Sequence, residues 1–491
     1  MEIKEIQKLY GSLPQAGAFL KTLEDKSATT VFLKGLLASA APLFFSSIHE
    51  RMGTAVLFVL NDADEAGYFY HDLTQIMGQE NVLFFPSSYR RAVKYGQRDA
   101  ASEILRTEVL ARLRREESEK RREERGERRE NSSIKDGNGE SLRIENEEER
   151  FKNTDIKNGE KSISLSPLPS PLSTLYIIAY PEAIAELVIT QKQLDERRLS
   201  MKVGNTVDIV ETARQLRDYG FRETDYVYEP GQFALRGSIL DVYSYNSELP
   251  FRLDFFGDEI DSIRTFEVET QLSKDKKTEI EIVPELSSLT ETKIPFLSFL
   301  PKDTLLVMKD FTFVHDSIDR IYKDGFSSQA MTERMEGKTE AEQQQIRREM
   351  VRESQLVSPS AFAAVASGFR RVEFGSNAAD KAKKRENNGV GDKTALIAFD
   401  ISPQPLFHKN FDLLTKTLED YLLQGYTLYI LADSAKQTQR LRDIFDSKDG
   451  GDDYDERYNK ALSRSSENES VCSRLPFAPV DKTLHEGFAD N

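Results

Sequence analysis

The sequence predicts a multi-domain α/β protein, and three observations support this prediction. The chain of 491 residues is long enough for several domains. Its first 113 residues alternate short apolar runs with helical segments, which is typical of a parallel sheet covered by helices. Residues 200–275 instead contain consecutive strand-like runs, which predict an antiparallel α+β module inserted into the α/β chain.

The strands of the parallel sheet are predicted from apolar runs that end in polar residues or proline. The run AVLFVL at 55–60 precedes a helical segment, and one of three residues is expected to cap that helix: Asn61, Asp62 or Asp64. Their short acceptor side chains can bond the free N–H groups of the first turn. Further strands are expected at 81–86, 175–179 and 304–310.

The inserted module is predicted to contain strands at 236–243, 251–256 and 259–268. Gly257-Asp258 joins the last two as a tight hairpin, because glycine accepts the positive φ of such a turn. Period-two alternation sends Phe251, Leu253 and Phe255 to one face and Arg252, Asp254 and Phe256 to the other. An arginine and an aromatic on the solvent side are residue types enriched in protein interfaces.

Changes in composition divide the chain into segments. Residues 114–173 start with mixed charges and continue as a polar, glycine-bearing and proline-ended stretch that cannot form a core, although the first part can also extend the preceding helix through Glu/Arg pairs. The predicted division is a motor-like domain (1–113), a disordered charged insertion (114–173), the continuation of the motor-like domain (174–199), the inserted module (200–275), a return segment with a charged helix (276–385) and a C-terminal α/β domain (394–491).

Composition excludes several classes of protein. The net charge of −16 argues against a broad nucleic-acid-wrapping surface. Cys472 is the single cysteine, so there is no internal disulfide framework. The five histidines are scattered, so no metal site is expected. The sequence shows no signal peptide and no long apolar run, and a cytoplasmic protein without membrane contact is expected.

The stretch VFLKGLLASAAPLF (31–44) has the outline of a phosphate-binding loop, a strand followed by glycine and a helix start. A working loop needs a lysine to neutralise phosphate and a hydroxyl to hold Mg²⁺. Only Gly35 of the pattern G-x-x-x-x-G-K-[ST] is kept, while Ala40, Ala41 and Pro42 replace the second glycine, the lysine and the hydroxyl. We therefore expect a degenerate, non-functional loop, although an ordinary strand-to-helix turn explains the same residues.

The stretch LRGSILDVYSYNSELPFRLDFFGDEIDSIRTFEVETQ resembles a segment of the excinuclease protein UvrB and, more closely, of the N-terminal half of the bacterial transcription-repair coupling factors (Mfd). The segment PSSYRRAVKYGQRDA is too short to contain the β-hairpin with which UvrB grips DNA. This difference favours the coupling factors. The resemblance implies a RecA-like, UvrB-like first domain whose phosphate loop has decayed.

In this family the inserted module binds the damage-sensing ATPase UvrA. The resemblance implies that Arg236, Arg252 and Phe256 lie in that contact, and that Glu259 and Asp261 add polar contacts. Without the resemblance, the same residues can be explained as a weak Arg252–Asp254 surface pair and an incidentally exposed Phe256.

A basic run, YRRAVKYGQR, interleaves tyrosine with arginine and lysine. Such a run is typical of a solvated loop, and weak DNA contact through Arg90, Arg91 and Lys94 is the alternative.

The family continues into an RNA-polymerase-binding module, an ATP-driven DNA translocase and an autoinhibitory module, whose motifs this sequence does not contain. We therefore expect a truncated chain that is an adaptor and not an enzyme, with no cofactor of its own. ATP and Mg²⁺, and the contacts with RNA polymerase and DNA, would belong to the other half of the family's architecture. Two alternatives stay open, an excinuclease-like DNA-damage component and a structural scaffold without a partner.

Overall fold

The structure is a computed structural model that describes residues 2–25, 28–88, 100–135, 174–286, 292–324, 335–340, 342–343, 355–376, 378, 394–408, 410–446 and 475–491. Side chains of the helix that contains residues 100–135 are described from 101 to 120. The basic run with Arg90, Arg91 and Lys94 lies outside the described residues, as does most of the predicted charged helix at 328–356.

The helices of the described residues are α1 (Ile3–Ser12), α2 (Pro14–Glu24), α3 (Ala40–Ser47), α4 (His49–Met52), α5 (Ala63–Met77), α6 (Ala100–Lys135), α7 (Pro181–Ala185), α8 (Gln191–Glu196), α9 (Ile209–Asp218), α10 (Phe296–Phe299), α11 (Phe311–Asp324), α12 (Pro359–Ala366), α13 (Phe411–Leu423) and α14 (Ala435–Asp446).

The strands of the same residues are β1 (Thr30–Lys34), β2 (Val56–Val59), β3 (Val82–Phe84), β4 (Tyr176–Ala179), β5 (Leu187–Ile189), β6 (Leu199–Lys202), β7 (Arg222–Glu223), β8 (Gln232–Arg236), β9 (Ile239–Val242), β10 (Phe251–Phe256), β11 (Glu259–Phe266), β12 (Ser273–Lys277), β13 (Glu279–Ile282), β14 (Lys293–Pro295), β15 (Leu305–Met308), β16 (Arg370–Gly375), β17 (Thr394–Ala398), β18 (Ile401–Pro403), β19 (Tyr429–Leu431), β20 (Ala478–Val480) and β21 (Phe488–Asp490).

A parallel sheet forms the larger core, in the order β17-β1-β16-β15-β2-β4-β3. Its central strands are buried on both faces, as continuous apolar runs such as VLFV of β2 require. Asp62 caps α5 by accepting from the backbone N–H groups of Asp64 and Glu65, each at 2.9 Å, so one of the three predicted caps is used. The predicted multi-domain α/β class is confirmed.

A second, mainly antiparallel sheet has the order β12-β11-β10-β9-β8-β7. Helix α9 packs on one of its faces through Ala213 and Leu216. The same core includes Ile280 and Ile282 of β13, and therefore reaches a few residues beyond the predicted 200–275. The hairpin at Gly257 is confirmed, since its φ is +63° and β10 pairs directly with β11.

Three predictions about secondary structure need correction. The strand predicted at 236–243 is two strands, because Gly237 (φ +62°) starts a turn between Arg236 and Ile239. The strand near residue 395, assigned to the C-terminal domain, is β17 and pairs with β1 in the large sheet. Residues 114–135 continue α6, so the insertion predicted to be disordered from Arg114 starts as helix.

No helix in the described part of the chain combines the length and apolarity needed to span a membrane.

Candidate protein-binding face

The six-stranded sheet has one apolar face and one polar face. Phe251, Leu253 and Phe255 of β10 are buried in the core under α9, as the alternation predicted. The opposite face carries the alternate residues of the same strand, Arg252 and Asp254, with their direct neighbours on adjacent strands. We call this surface the polar face; its residues used below are Arg236, Asp241, Arg252, Asp254, Phe256, Glu259, Ser262 and Arg264.

Asp241 lies at the centre of the polar face and is fully buried. Its Oδ1 accepts from Nε of Arg252 at 2.7 Å and its Oδ2 from Nη2 of the same arginine at 2.8 Å, a bidentate fork. Oδ2 also accepts from Nη2 of Arg236. One carboxylate therefore holds both arginines that the resemblance singles out.

Each arginine also stacks on an aromatic ring. The guanidinium carbon of Arg252 lies 4.3 Å from the ring centre of Phe266, and that of Arg236 lies 4.9 Å from the ring centre of Tyr226. Hydrogen bonding to Asp241 raises the pKa of Arg252 above its ordinary value, so this side chain remains charged at any working pH. The two cations are thus fixed in position before any partner binds.

Phe256 ends β10 and is 84% exposed, the largest exposure among the large apolar residues of the described chain. Its direct cross-strand neighbour is Glu259, also exposed. Asp261 is exposed too, and it lies where the β10–β11 register shifts. The geometry brings Phe256 and Glu259 together at the hairpin tip, which is one end of the polar face.

The alternative interpretation of an Arg252–Asp254 pair is wrong. Asp254 instead accepts from Ser262 at 2.9 Å and pairs with Arg264. Residues directly opposite on adjacent strands lie closer than residues two apart on one strand, and Asp241 is the residue opposite Arg252. Asp241 and Arg264 were missed, although a lone aspartate in the apolar run SILDV is a signal that could have drawn attention to the first.

The loop predicted to be a degenerate phosphate loop lies at the carboxyl end of β1, and the backbone of Phe399 packs against it. Gly35 has φ +78°, and a β-carbon there would lie 2.3 Å from the carbonyl oxygen of Phe399. Ala40, Ala41 and Pro42 are buried in the first turn of α3. Gly35 therefore permits a close backbone contact.

Backbone of the C-terminal segment also packs against this loop. The hydroxyl of Ser39 donates to Oδ2 of Asp72 at 2.6 Å and accepts from the N–H of Glu486 at 2.9 Å. The N–H of His485 donates to Oδ1 of Asp72 at 2.8 Å, and the His485 ring stacks on Tyr68. Burial raises the pKa of Asp72, while its hydrogen bonds oppose that change.

A second buried polar cluster, not predicted from the sequence, lies where the chain leaves β3. The carboxylate of Glu186 accepts from the hydroxyls of Ser87 and Ser88, both at 2.6 Å, and pairs with Arg106 of α6 at 3.4 Å. Arg106 also donates to the carbonyl of Pro86 at 2.7 Å. These bonds satisfy buried polar groups and fix the chain before the basic run.

No group of three or more His, Cys, Asp or Glu side chains in the described residues is placed to hold a metal ion.

Comparison with known proteins identifies the module that carries the polar face. Residues 199–287 match the family model described as the UvrB interaction domain. The chain is therefore a multi-domain α/β protein that carries a region of this type.

The particular relatives are transcription-repair-coupling factors. The protein of Haemophilus influenzae is 36% identical over 138 residues, which are 28% of this chain and 11% of that protein. The Escherichia coli protein is 32% identical over 163 residues, 31% of this chain and 14% of the relative. The Bacillus subtilis protein is 24% identical over 252 residues, 51% of this chain and 17% of the relative. The chain thus spans a minor part of these relatives, and the resemblance predicted from its motifs is confirmed.

Proposed function

We propose that this chain is an adaptor in transcription-coupled nucleotide excision repair and that its polar face binds UvrA. The observation that carries the proposal is a coincidence of position. The region that matches the UvrB interaction domain contains the strongly exposed Phe256 beside arginines already fixed by Asp241. The similarity to transcription-repair-coupling factors supports a role in DNA repair.

The physical basis of recognition is an aromatic anchor next to organised charge. An exposed phenylalanine gains free energy when a partner removes it from water, and arginine forks add charge-assisted hydrogen bonds. Fixed side chains lose little conformational entropy on binding. Glu259 and Asp261, both exposed at the same hairpin, add polar contacts to the rim.

We propose no enzymatic role for this chain. The backbone of Phe399 packs against Gly35, and residues 485–486 bond Asp72 and Ser39, which leaves little room for a nucleotide at this loop. ATP-driven translocation, and contacts with RNA polymerase and DNA, are proposed for a whole protein of the family's architecture. A cytoplasmic location fits this role.

The test is a calorimetric titration of the chain with UvrA, comparing the parent with Phe256→Ala. Truncating a central anchor costs about 2 kcal/mol, which corresponds to a loss of affinity of roughly thirtyfold. Because Phe256 is 84% exposed, the free energy of unfolding of the variant should lie within about 0.5 kcal/mol of the parent value.

Val210→Ala is the matched control, since Val210 is an exposed apolar residue of the same module on α9, which covers the opposite face. Its affinity should equal that of the parent. Equal affinities of the two variants for UvrA would mean that Phe256 contributes no more to binding than Val210, and the binding surface would then lie elsewhere. A parent chain that does not bind UvrA would overturn the proposal.

A further inference from the structure

Two exposed tyrosines lie in the connection between β7 and β8. Tyr226 is 52% exposed and Tyr228 is 55% exposed, while Val227 between them is fully buried. Val227 packs in a small core with Ala234 and Phe266. Buried Val227 thus anchors the connection and leaves both phenol rings in contact with solvent.

Hydrogen bonds fix the backbone on either side of this anchor. The hydroxyl of Thr224 donates to the carbonyl of Tyr226 at 2.9 Å, and the N–H of Tyr228 donates to Oε1 of Gln232 at 2.9 Å. Tyrosine also has few rotatable bonds for its contact area. A partner that covers these rings therefore pays little ordering entropy.

The tyrosines are continuous with the polar face through Arg236. Its guanidinium stacks on Tyr226, and its Nη1 donates to the carbonyl of Asp225 at 3.0 Å. Arg236 is opposite Ile239, which is opposite Asp254, two residues before Phe256 on the same strand. The row from Arg236 to β10 spans two strand spacings, about 10 Å.

The two arginines differ in how much they offer to a partner. The side chain of Arg252 is 15% exposed, and it bonds both Asp241 and the carbonyl of Gln271. The side chain of Arg236 is 32% exposed and lies beside the tyrosines. Arg236 is consequently the more accessible cation.

We propose that Tyr226 and Tyr228 form a second aromatic contact for the partner that binds Phe256, with Arg236 as the charged contact between the two and Arg252 as a positioning residue. This inference rests on the proposed function and names further residues of the same interface. The occupant is a segment of UvrA that covers the two phenol rings and presents a carboxylate to Arg236. The guanidinium of Arg236 stacks on the Tyr226 ring, and the Arg236 side chain stays 32% exposed, so it can accept that contact.

The experiment is a titration of UvrA with three variants of the full chain: Phe256→Ala, the double variant Tyr226→Ala/Tyr228→Ala, and Phe313→Ala. Phe313 is an exposed aromatic on α11, outside the module, and serves as the control. The tyrosine variant should lose affinity about tenfold, with a minor change in the unfolding transition because about half of each side chain is exposed. The Phe313 variant should bind like the parent.

A conservative pair separates the roles of the two arginines. Arg236→Lys should weaken UvrA binding, since lysine cannot reproduce the planar fork, with a minor change in stability. Arg252→Lys should lower the unfolding temperature, because lysine cannot reproduce the fork on Asp241. The affinity of the folded variant for UvrA should change little.

The outcomes separate this inference from the proposed function. A loss with Phe256→Ala and parent-like affinity of the tyrosine variant would overturn the second contact and leave the adaptor function in place. Arg252→Lys weakening affinity more than Arg236→Lys, at equal stability, would overturn the assignment of the charged contact. A parent chain without affinity for UvrA would overturn both proposals.

Discussion

Asp241 is a buried carboxylate between two arginines that each stay partly exposed. Burying a charge is unfavourable unless opposite charges and hydrogen bonds compensate it, and here two guanidinium groups do so. The carboxylate in turn restricts both arginine side chains to one arrangement. At the scale of single residues, the buried Asp241, which a partner cannot contact, therefore fixes the positions of the two arginines of the polar face.

Asp241→Asn should destabilise the module strongly. The substitution keeps the shape of the side chain but removes its charge, which leaves Arg236 and Arg252 close together without a counter-charge. Breaking a buried pair in this way typically costs about 3 kcal/mol, and the partial exposure of both arginines brings the expected loss to about 2 kcal/mol. Urea unfolding followed by circular dichroism measures the loss.

Asp254→Asn is the control on the same face, because Asp254 is 25% exposed and pairs with the partly exposed Arg264. We expect a loss of at most about 1 kcal/mol there. Equal losses in the two variants would contradict the central role of Asp241.

Helix α6 shows how an element can be long and charged and still be anchored. Arg114 donates through Nε to both carboxylate oxygens of Asp195 at 2.9 Å, and Lys120 pairs with Asp303 at 2.8 Å. The helix thus remains in contact with the body of the protein past Arg114. Its mixed-charge sequence supports the same helix through pairs three or four residues apart, such as Arg114–Glu117.

Glu116 gives α6 a pH-dependent contribution to stability. Burial raises its pKa from the ordinary 4.5 to about 7, although Arg112 and Arg115 oppose this change. The folded state therefore binds the proton more tightly than the unfolded state, so the contribution is full below pH 4.5 and is lost as the pH rises to about 7.

Glu116→Gln should remove the loss of stability at high pH, because a glutamine side chain does not ionise. At about pH 8 the variant should be more stable than the parent by about 1 kcal/mol, and the difference should shrink as the pH falls toward 4.5. Unfolding free energies of both proteins at about pH 5 and pH 8 test this, with the exposed Glu196→Gln as control. A difference that does not vary with pH would refute the assignment.

At the scale of the whole molecule, distant parts of the chain close the carboxyl end of the parallel sheet. Ligands of open α/β sheets bind at this end, beyond the strands. Here the backbone of Phe399 approaches Gly35, and residues 485–486 bond the Ser39–Asp72 pair. Protein atoms therefore lie directly against Gly35 and Ser39 of this loop.

The chain should consequently show no saturable binding of ATP with Mg²⁺. Equilibrium dialysis with labelled ATP up to about 1 mM, where a weak site of about −4 kcal/mol would be half filled, measures this directly. Half-saturation below that concentration, together with a rise in unfolding temperature, would show that the loop still works as a nucleotide site.

Local pattern was sufficient to predict much of the module. The alternation of Phe251, Leu253 and Phe255 with exposed Phe256 follows from the period of a strand, which is a property of a few consecutive residues. The positive φ at Gly257 followed from the same local reasoning. The strand boundary near Arg236 was predicted wrongly, because Gly237 was assigned to a strand, whereas its φ of +62° places it in a turn.

The sequence by itself determined the α/β class, the position of the inserted sheet and the alternation of buried and polar residues along β10. Only the tertiary structure decided what those residues contact: Arg252 pairs with Asp241 across the β9–β10 register, β17 joins the large sheet, and Glu486 bonds Ser39 from 447 positions away. The reason is physical. Periodicity and turn chemistry act between residues close in the chain, whereas the choice of strand neighbours and the closure of the sheet depend on how distant segments bury their surfaces together.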